Sequence, residues 1–192
     1  MTTAFFRSLA AGSCIGTEHE YSINDKSQRA LAISDQIIER IAGRLDHEVA
    51  FGGILVSKEL QKHAIELIPK SPGGLGFLEE NLYQDLCQLY HATKHEYGFM
   101  GLGMHPLLRL DETTYWDHDE QEYYQTYDRL FNIRQHGWLN IQALQINIPY
   151  QGKEELVAMF NKIRALMPYL VAVSASSPLV EGKATSYMDN RL

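Results

Sequence analysis

Four glutamates carry the first chemical signal in this chain. Glu18 and Glu20 alternate along G-T-E-H-E-Y-S-I, Gly16 to Ile23, a run that follows a turn-prone Ala-Ala-Gly-Ser stretch and reads as a short strand. Side chains alternate faces along a strand, so these two carboxylates point the same way. Carboxylates that close repel each other, and a divalent cation, a Lys/Arg pair or open water relieves the repulsion. A solvated strand face accounts for an isolated E-x-E. A second pair strengthens the metal reading: Glu59 and Glu66 in K-E-L-Q-K-H-A-I-E-L-I. The flanking β-branched and turn residues favour two strands of a hairpin. Glu66 sits inside an apolar run bounded by Pro69, where a charge must be paired, hydrated or metal-bound, because burying it alone is costly. Four glutamates on converging strands suit a hard cation. Magnesium and manganese prefer oxygen ligands and bridge carboxylates to nucleotide phosphates.

Other residues offer chemistry with less force. In L-Q-I-N-I, Gln145 and Asn147 share one face and the aliphatics the other, which predicts an apolar side packed on the core and an amide side lining a polar site or facing water. His105, in G-M-H-P, ends a strand beside a turn, and a lone histidine there is more often structural than catalytic. Asp117-His118-Asp119-Glu120 reads as a solvated acidic loop before it reads as a metal site. Neither a phosphate-binding glycine loop nor a G-x-S-x-G elbow is present.

The elements that must position these groups mix strands and helices. Apolar spacing predicts helices over Gln28–Asp46, Phe77–Tyr97, Tyr123–His136 and Glu154–Met167, with Pro168 kinking or ending the last. Extended segments are expected at Ile54–Leu60, Ala64–Ile68, Phe99–Met104 and Gln142–Pro149, with a polar surface loop over Leu107–Glu122. Without regular βαβ alternation, this order predicts an α+β fold with antiparallel pairing. The 192 residues suffice for one domain with a real core. A net charge of −7 without a Lys/Arg cluster argues against nucleic acid. The two cysteines, Cys14 and Cys87, form no disulfide framework and fit a reducing, cytoplasmic setting. No leader is expected at Met1–Gly16, and no run is read as membrane-spanning.

Taken in order, G-T-E-H-E, K-E-L with A-I-E-L, G-M-H-P, L-Q-I-N-I and S-A-S-S-P-L-V-E-G-K-A-T-S-Y-M-D-N-R resemble the second class of the glutamate–cysteine ligase family, from Gly16 to Arg191. The resemblance implies a glutamine-synthetase-like fold, a curved, mainly antiparallel sheet with flanking helices that binds ATP and divalent metal. It implies a ligase that phosphorylates a glutamate side-chain carboxylate from ATP and lets an amine such as cysteine attack the acyl phosphate. By position it assigns Glu18, Glu20, Glu59 and Glu66 to Mg2+ or Mn2+. Gln145, Asn147, His105 and Ser177 are assigned to substrate or nucleotide, and Arg191 to catalysis. Proteins of this kind are about twice as long, so the chain is expected to be an N-terminal half that needs a C-terminal half or an oligomeric partner. A non-catalytic metal- or nucleotide-binding half and a metal-dependent hydrolase are the alternatives.

Overall fold

The sheet of this protein is built on β1 (Gly16–Asn24), seen in a computed structural model that describes residues 14–191. The reading of the first residues as lacking a leader falls mostly on residues 1–13, outside the described residues. One edge of β1 pairs antiparallel with β4 (Ala64–Pro69), which sets Glu20 opposite Glu66. Two strands share the other edge. β6 (Leu144–Asn147) takes the first half, with Glu18 opposite Gln145, and β5 (Gly98–Met100) takes the last, with Ile23 opposite Phe99. β3 (Ile54–Lys58) pairs with β4, and β2 (Glu48–Phe51) pairs with β3. The order is therefore β2-β3-β4-β1-β5, with β6 beside β1. Every strand pairing within this sheet is antiparallel, in line with the α+β expectation.

This register sorts residues between two faces. Val49, Ile54, Val56, Ile65, Leu67 and Ile23 turn to one side and are buried there. α1 (Ser34–Ala42) brings Ile37 and Ile38 onto them, and α2 (Leu75–Ala92) brings Leu89. α3 (Gln121–Phe131) adds Tyr124. The opposite parity puts Glu18, Glu20, Glu48, Ser57 and Glu66 on the other face. Lys58 falls on the helix side, where its ammonium meets Tyr124 Oη at 2.6 Å and Glu120 at 3.1 Å, while its neighbour Glu59 goes to the acidic side.

The structure corrects several expected elements. β2 was not expected. It turns into β3 at Gly52-Gly53, where the Gly53 N–H donates to Asp85 Oδ1 of α2 at 2.9 Å. A Cβ on Gly53 would lie 2.6 Å from Asp85 Oδ2, so glycine is what lets the turn close on that carboxylate. The first helix starts six residues late, because Leu31 N–H bonds to Ile23 O and prolongs the extended backbone. Residues 107–122 run mostly exposed over the surface, as expected, but the segment is anchored at buried Leu108 and Trp116. Trp116 is 1% exposed, and Asp117, Asp119 and Glu120 pair with Lys62, His47 and Lys58. The helix expected over Tyr123–His136 divides into α3 and α4 (His136–Leu139), with Asn132 left-handed between them. Cys14 and Cys87 are free thiols.

The largest departure lies at the C-terminal side. α5 (Gly152–Ser174) runs unbroken through Pro168 and buries no residue. By length and composition alone it is long and apolar enough to cross a membrane, which corrects the reading that no run is. The aliphatic face of β6, expected on the core, is uncovered: Leu144 is 61% and Ile146 56% exposed. An apolar helix without buried contacts and a strand without a covered face are surfaces that drive association. Light scattering on the isolated chain should therefore show an apparent mass that rises with concentration. A constant monomer mass would show that these surfaces are satisfied some other way.

Candidate functional site

The sheet face opposite α1 and α2 gathers the carboxylates. Glu20 and Glu66 meet across the β1–β4 ladder, and Glu59 enters from the connection just past β3. Ligand oxygens of Glu20, Glu59 and Glu66 lie within 4.8 Å of one another. Glu18 stands one two-residue step along β1, where its charge reaches Glu66. The grouping follows from strand parity: two-residue steps on β1 and direct pairing with β4 leave these side chains no other face.

The cluster has no lysine or arginine ion-paired with it among the described residues, and its protonation shows the cost. Burial, then the charges of Glu20 and Glu66, push Glu59 up to about 8. Burial, then the charges of Glu18 and Glu20, push Glu66 up to about 7, with Glu48 adding to it. Burial raises Glu20 as well, against hydrogen bonds that favour its charged form. Carboxyls that burial and mutual repulsion leave protonated are suited to exchange those protons for a divalent cation.

β6 supplies amides to this cluster. Asn147 Nδ2 donates to Glu18 Oε1 at 2.7 Å, Gln145 Nε2 donates to Glu20 Oε1 at 3.4 Å, and the Ala143 N–H donates to Glu20 Oε2 at 3.1 Å. Gln145 and Asn147 thus lie where a polar site was expected, and here they orient the two carboxylates. Beside them opens a cavity of about 610 Å³, lined by Glu18, Glu48 and Asn147 on its polar side and by Leu55, Ile68 and Tyr150 on its apolar side.

The remaining expected site residues lie elsewhere. His105 is 1% exposed. Its Nδ1 accepts from the Leu107 and Leu108 N–H groups at 3.2 and 3.1 Å, which leaves the proton on Nε2 to donate to Asn24 Oδ1 at 2.7 Å. Burial lowers its pKa, so it is a neutral brace and not a contact open to a ligand. Ser177 is also buried, and its hydroxyl has no partner among the described residues. A Cβ on Gly103 would lie 3.1 Å from that hydroxyl and 2.6 Å from an Arg191 guanidinium nitrogen, so Gly103 makes room for both. The Arg191 guanidinium is paired with Asp189 and donates to the Ser174 carbonyl at 2.5 Å. None of the four glutamates is among its partners. Asp189 is held down to about 2 by this pairing.

Sequence reasoning missed Glu48, whose charge reaches Glu66 and which lines the cavity. The alternation of Glu48 and Ala50 with Val49 and Phe51 before Gly52-Gly53 carries the signal for it. A second acidic group, Asp35, Asp117 and His118, is close enough to hold an ion. There Lys62 Nζ lies 2.7 Å from Asp35 and 3.0 Å from Asp117, so an ammonium occupies the cation's place.

Comparison with known proteins bears on this geometry. A family model described as glutamate-cysteine ligase family 2 matches residues 14–192. An uncharacterized protein of Archaeoglobus fulgidus is 49% identical over 179 residues, which are 93% of this chain and 48% of that protein. The glutamate–cysteine ligase of Natronomonas pharaonis is 28% identical over 92% of this chain and 47% of its own length. The chloroplastic glutamate–cysteine ligase of Brassica juncea is 25% identical over 92% of this chain and 37% of its own. The chain spans about half the length of the archaeal relatives, and less of the plant one.

Proposed function

The chain belongs to glutamate–cysteine ligase family 2, and from that premise we propose that it forms the metal-binding part of an ATP-dependent carboxylate–amine ligase. The reaction proposed is γ-glutamyl amide formation, with glutamate as acid and cysteine or another small amine as acceptor. The observation that carries this reading is the convergence of Glu20, Glu59 and Glu66, with Glu18 beside them, on an open sheet face without a cationic partner.

The donor set fits a hard divalent cation: all ligand atoms are carboxylate oxygens, and burial together with the neighbouring carboxylates raises Glu59 to about 8 and Glu66 to about 7. Bound magnesium or manganese would supply the charge that offsets ATP phosphates and stabilises a transferring phosphoryl group. The chain's own contribution is positional. The β1–β4 ladder fixes the spacing of Glu20 and Glu66, and the amides of Gln145 and Asn147 hold the carboxylates of Glu20 and Glu18 at set angles. The adjacent cavity has room for organic substrate. No side chain of the chain is required as a covalent nucleophile.

A second reading, a half-site that turns over only when paired, is favoured by uncovered β6 and α5 and by the length of the relatives. One assay separates the two: ADP release and dipeptide formation with glutamate, cysteine, ATP and magnesium. Under the paired reading the 192-residue chain alone is slow or inactive, and the C-terminal half of a relative, fused or added, restores turnover. Robust synthesis by the chain alone would favour the complete enzyme. Absence of dipeptide from the fused protein would remove the ligase assignment.

A further inference from the structure

We infer that the 610 Å³ cavity is a subsite for an organic anion, with Lys70 as the residue that takes the carboxylate or phosphate group. The inference rests on the ligase reading of the neighbouring carboxylates and extends it to a residue that nothing in that reading assigns.

The geometry begins with parity. Glu66, Ile68 and Lys70 follow one another at two-residue steps along and just past β4, so Lys70 leaves the sheet on the acidic face. Among the described residues lining the cavity, Lys70 alone carries a cationic side chain. Its ammonium donates to the Gly52 carbonyl at 2.8 Å and is ion-paired with no carboxylate among the described residues. Three other cations are committed elsewhere: Lys58 to Glu120, Lys62 to Asp35 and Asp117, and Arg191 to Asp189. Lys70 is exposed and lines the cavity beside Glu18 and Glu48, and its ammonium, with donors to spare beyond the Gly52 carbonyl, is the cation of that lining that can attract an anion.

The rest of the cavity fixes the class of ligand. Its volume exceeds the needs of a hydrated ion and falls among those of small-molecule sites, roughly 300–1,000 Å³. Leu55, Ile68 and Tyr150 offer an apolar wall to the body of the ligand. Glu18 lies at the cavity and at the carboxylate cluster alike, so a bound molecule can reach from Lys70 to a metal at the cluster. Either substrate type of a carboxylate–amine ligase has such a group: the phosphates of a nucleotide or the α-carboxylate of an amino acid.

The test is calorimetry on the 192-residue chain, titrating magnesium alone, then ATP, glutamate and cysteine each with magnesium present. Lys70→Gln keeps a donor for the Gly52 carbonyl and removes the charge, Lys70→Arg keeps the charge, and Lys183→Gln is a control on another hairpin. Lys70→Gln should weaken one anion about fivefold, with magnesium affinity unchanged, while Lys70→Arg binds it to within about twofold, as expected for an exposed charge partner. Weakened ATP binding identifies the phosphate arm, and weakened glutamate or cysteine binding the carboxylate arm. Wild-type affinity of Lys70→Gln for every anion overturns the subsite and leaves the ligase reading intact. Equal losses of magnesium and anion also overturn it, since the change then acts through the cluster. Magnesium binding by the wild type with no anion bound overturns the subsite and the substrate assignment together.

Discussion

Magnesium or manganese titrated into the wild-type chain at neutral pH is expected to bind with release of protons. Glu59→Gln and Glu66→Gln should each weaken that binding by at least the roughly 10–100-fold that even outer-shell changes cost. The protons come from Glu59, pushed up to about 8, and Glu66, pushed up to about 7. Both folded values lie above the unfolded value of 4.5, so the metal-free fold binds more protons than the unfolded chain. The stability these groups support is complete below about pH 4.5 and is lost as pH rises through 7 and 8. Each pKa unit is worth about 1.4 kcal/mol, so the metal-free chain should lose a few kcal/mol across this window. Either Gln variant should flatten the profile and melt higher than wild type at pH 8 without metal, and metal should restore only the wild type. Melting temperatures followed from pH 5 to 8.5, with calorimetry in two buffers of different ionisation heat, measure both effects. A flat wild-type profile with no proton release would mean that burial and mutual repulsion do not raise these carboxyls in the folded chain.

The second large effect is on stability and lies away from the cluster. Asp35→Ala should cost about 3 kcal/mol, the low end for breaking a buried ion pair. Asp35 sits in the first turn of α1 and is 8% exposed. It accepts from Lys62 and from His118, both at 2.7 Å, and so ties α1 to the β3–β4 connection and to the segment carrying Trp116. Burial raises its pKa, but the bonds from Lys62 and His118 more than offset this and leave it below the usual aspartate value. Its contribution is therefore present above pH 3.8 and is lost as pH falls through the lower folded value. Removing the carboxylate strands Lys62, whose side chain is only 11% exposed, leaving the half-exposed Asp117 as its partner. Urea unfolding at pH 7 measures the loss, and Lys62→Met combined with Asp35→Ala should cost less than the two singles summed. A loss under 1 kcal/mol for Asp35→Ala would show that Asp117 and water replace the carboxylate at little cost.

The carboxylates were legible because strand periodicity is a local rule. Glu18 and Glu20 two residues apart, and Glu66 inside an apolar run, need only a strand to share a face. Glu59 was legible by its place in K-E-L, although the structure sets it just beyond β3. What failed needed distant partners. Whether Leu144 and Ile146 are covered depends on what packs over β6, and their alternation is the same either way. Trp116 was read as loop because its neighbours are acidic; those acids pair with Lys62, His47 and Lys58, from segments the local pattern does not link. His105 and Ser177 sit in recognisable motifs, yet motif position says nothing of burial. The N–H groups of Leu107 and Leu108 and the Asn24 amide that engage the His105 ring appear only when the chain is folded.

The divided edge of β1 also has a history within each molecule. β4 is synthesised soon after β1, but Asn147, which holds Glu18, lies 129 residues further on. At about 5–20 residues per second, half of that edge waits on the order of ten seconds for its strand, with Glu18 and Glu20 already in place and their amides not yet made. Pairings so remote in sequence also slow refolding of the finished chain. β1 is thus the last strand of this sheet to have both edges filled, and the carboxylates it carries help to keep the open edge from pairing with a neighbouring nascent chain.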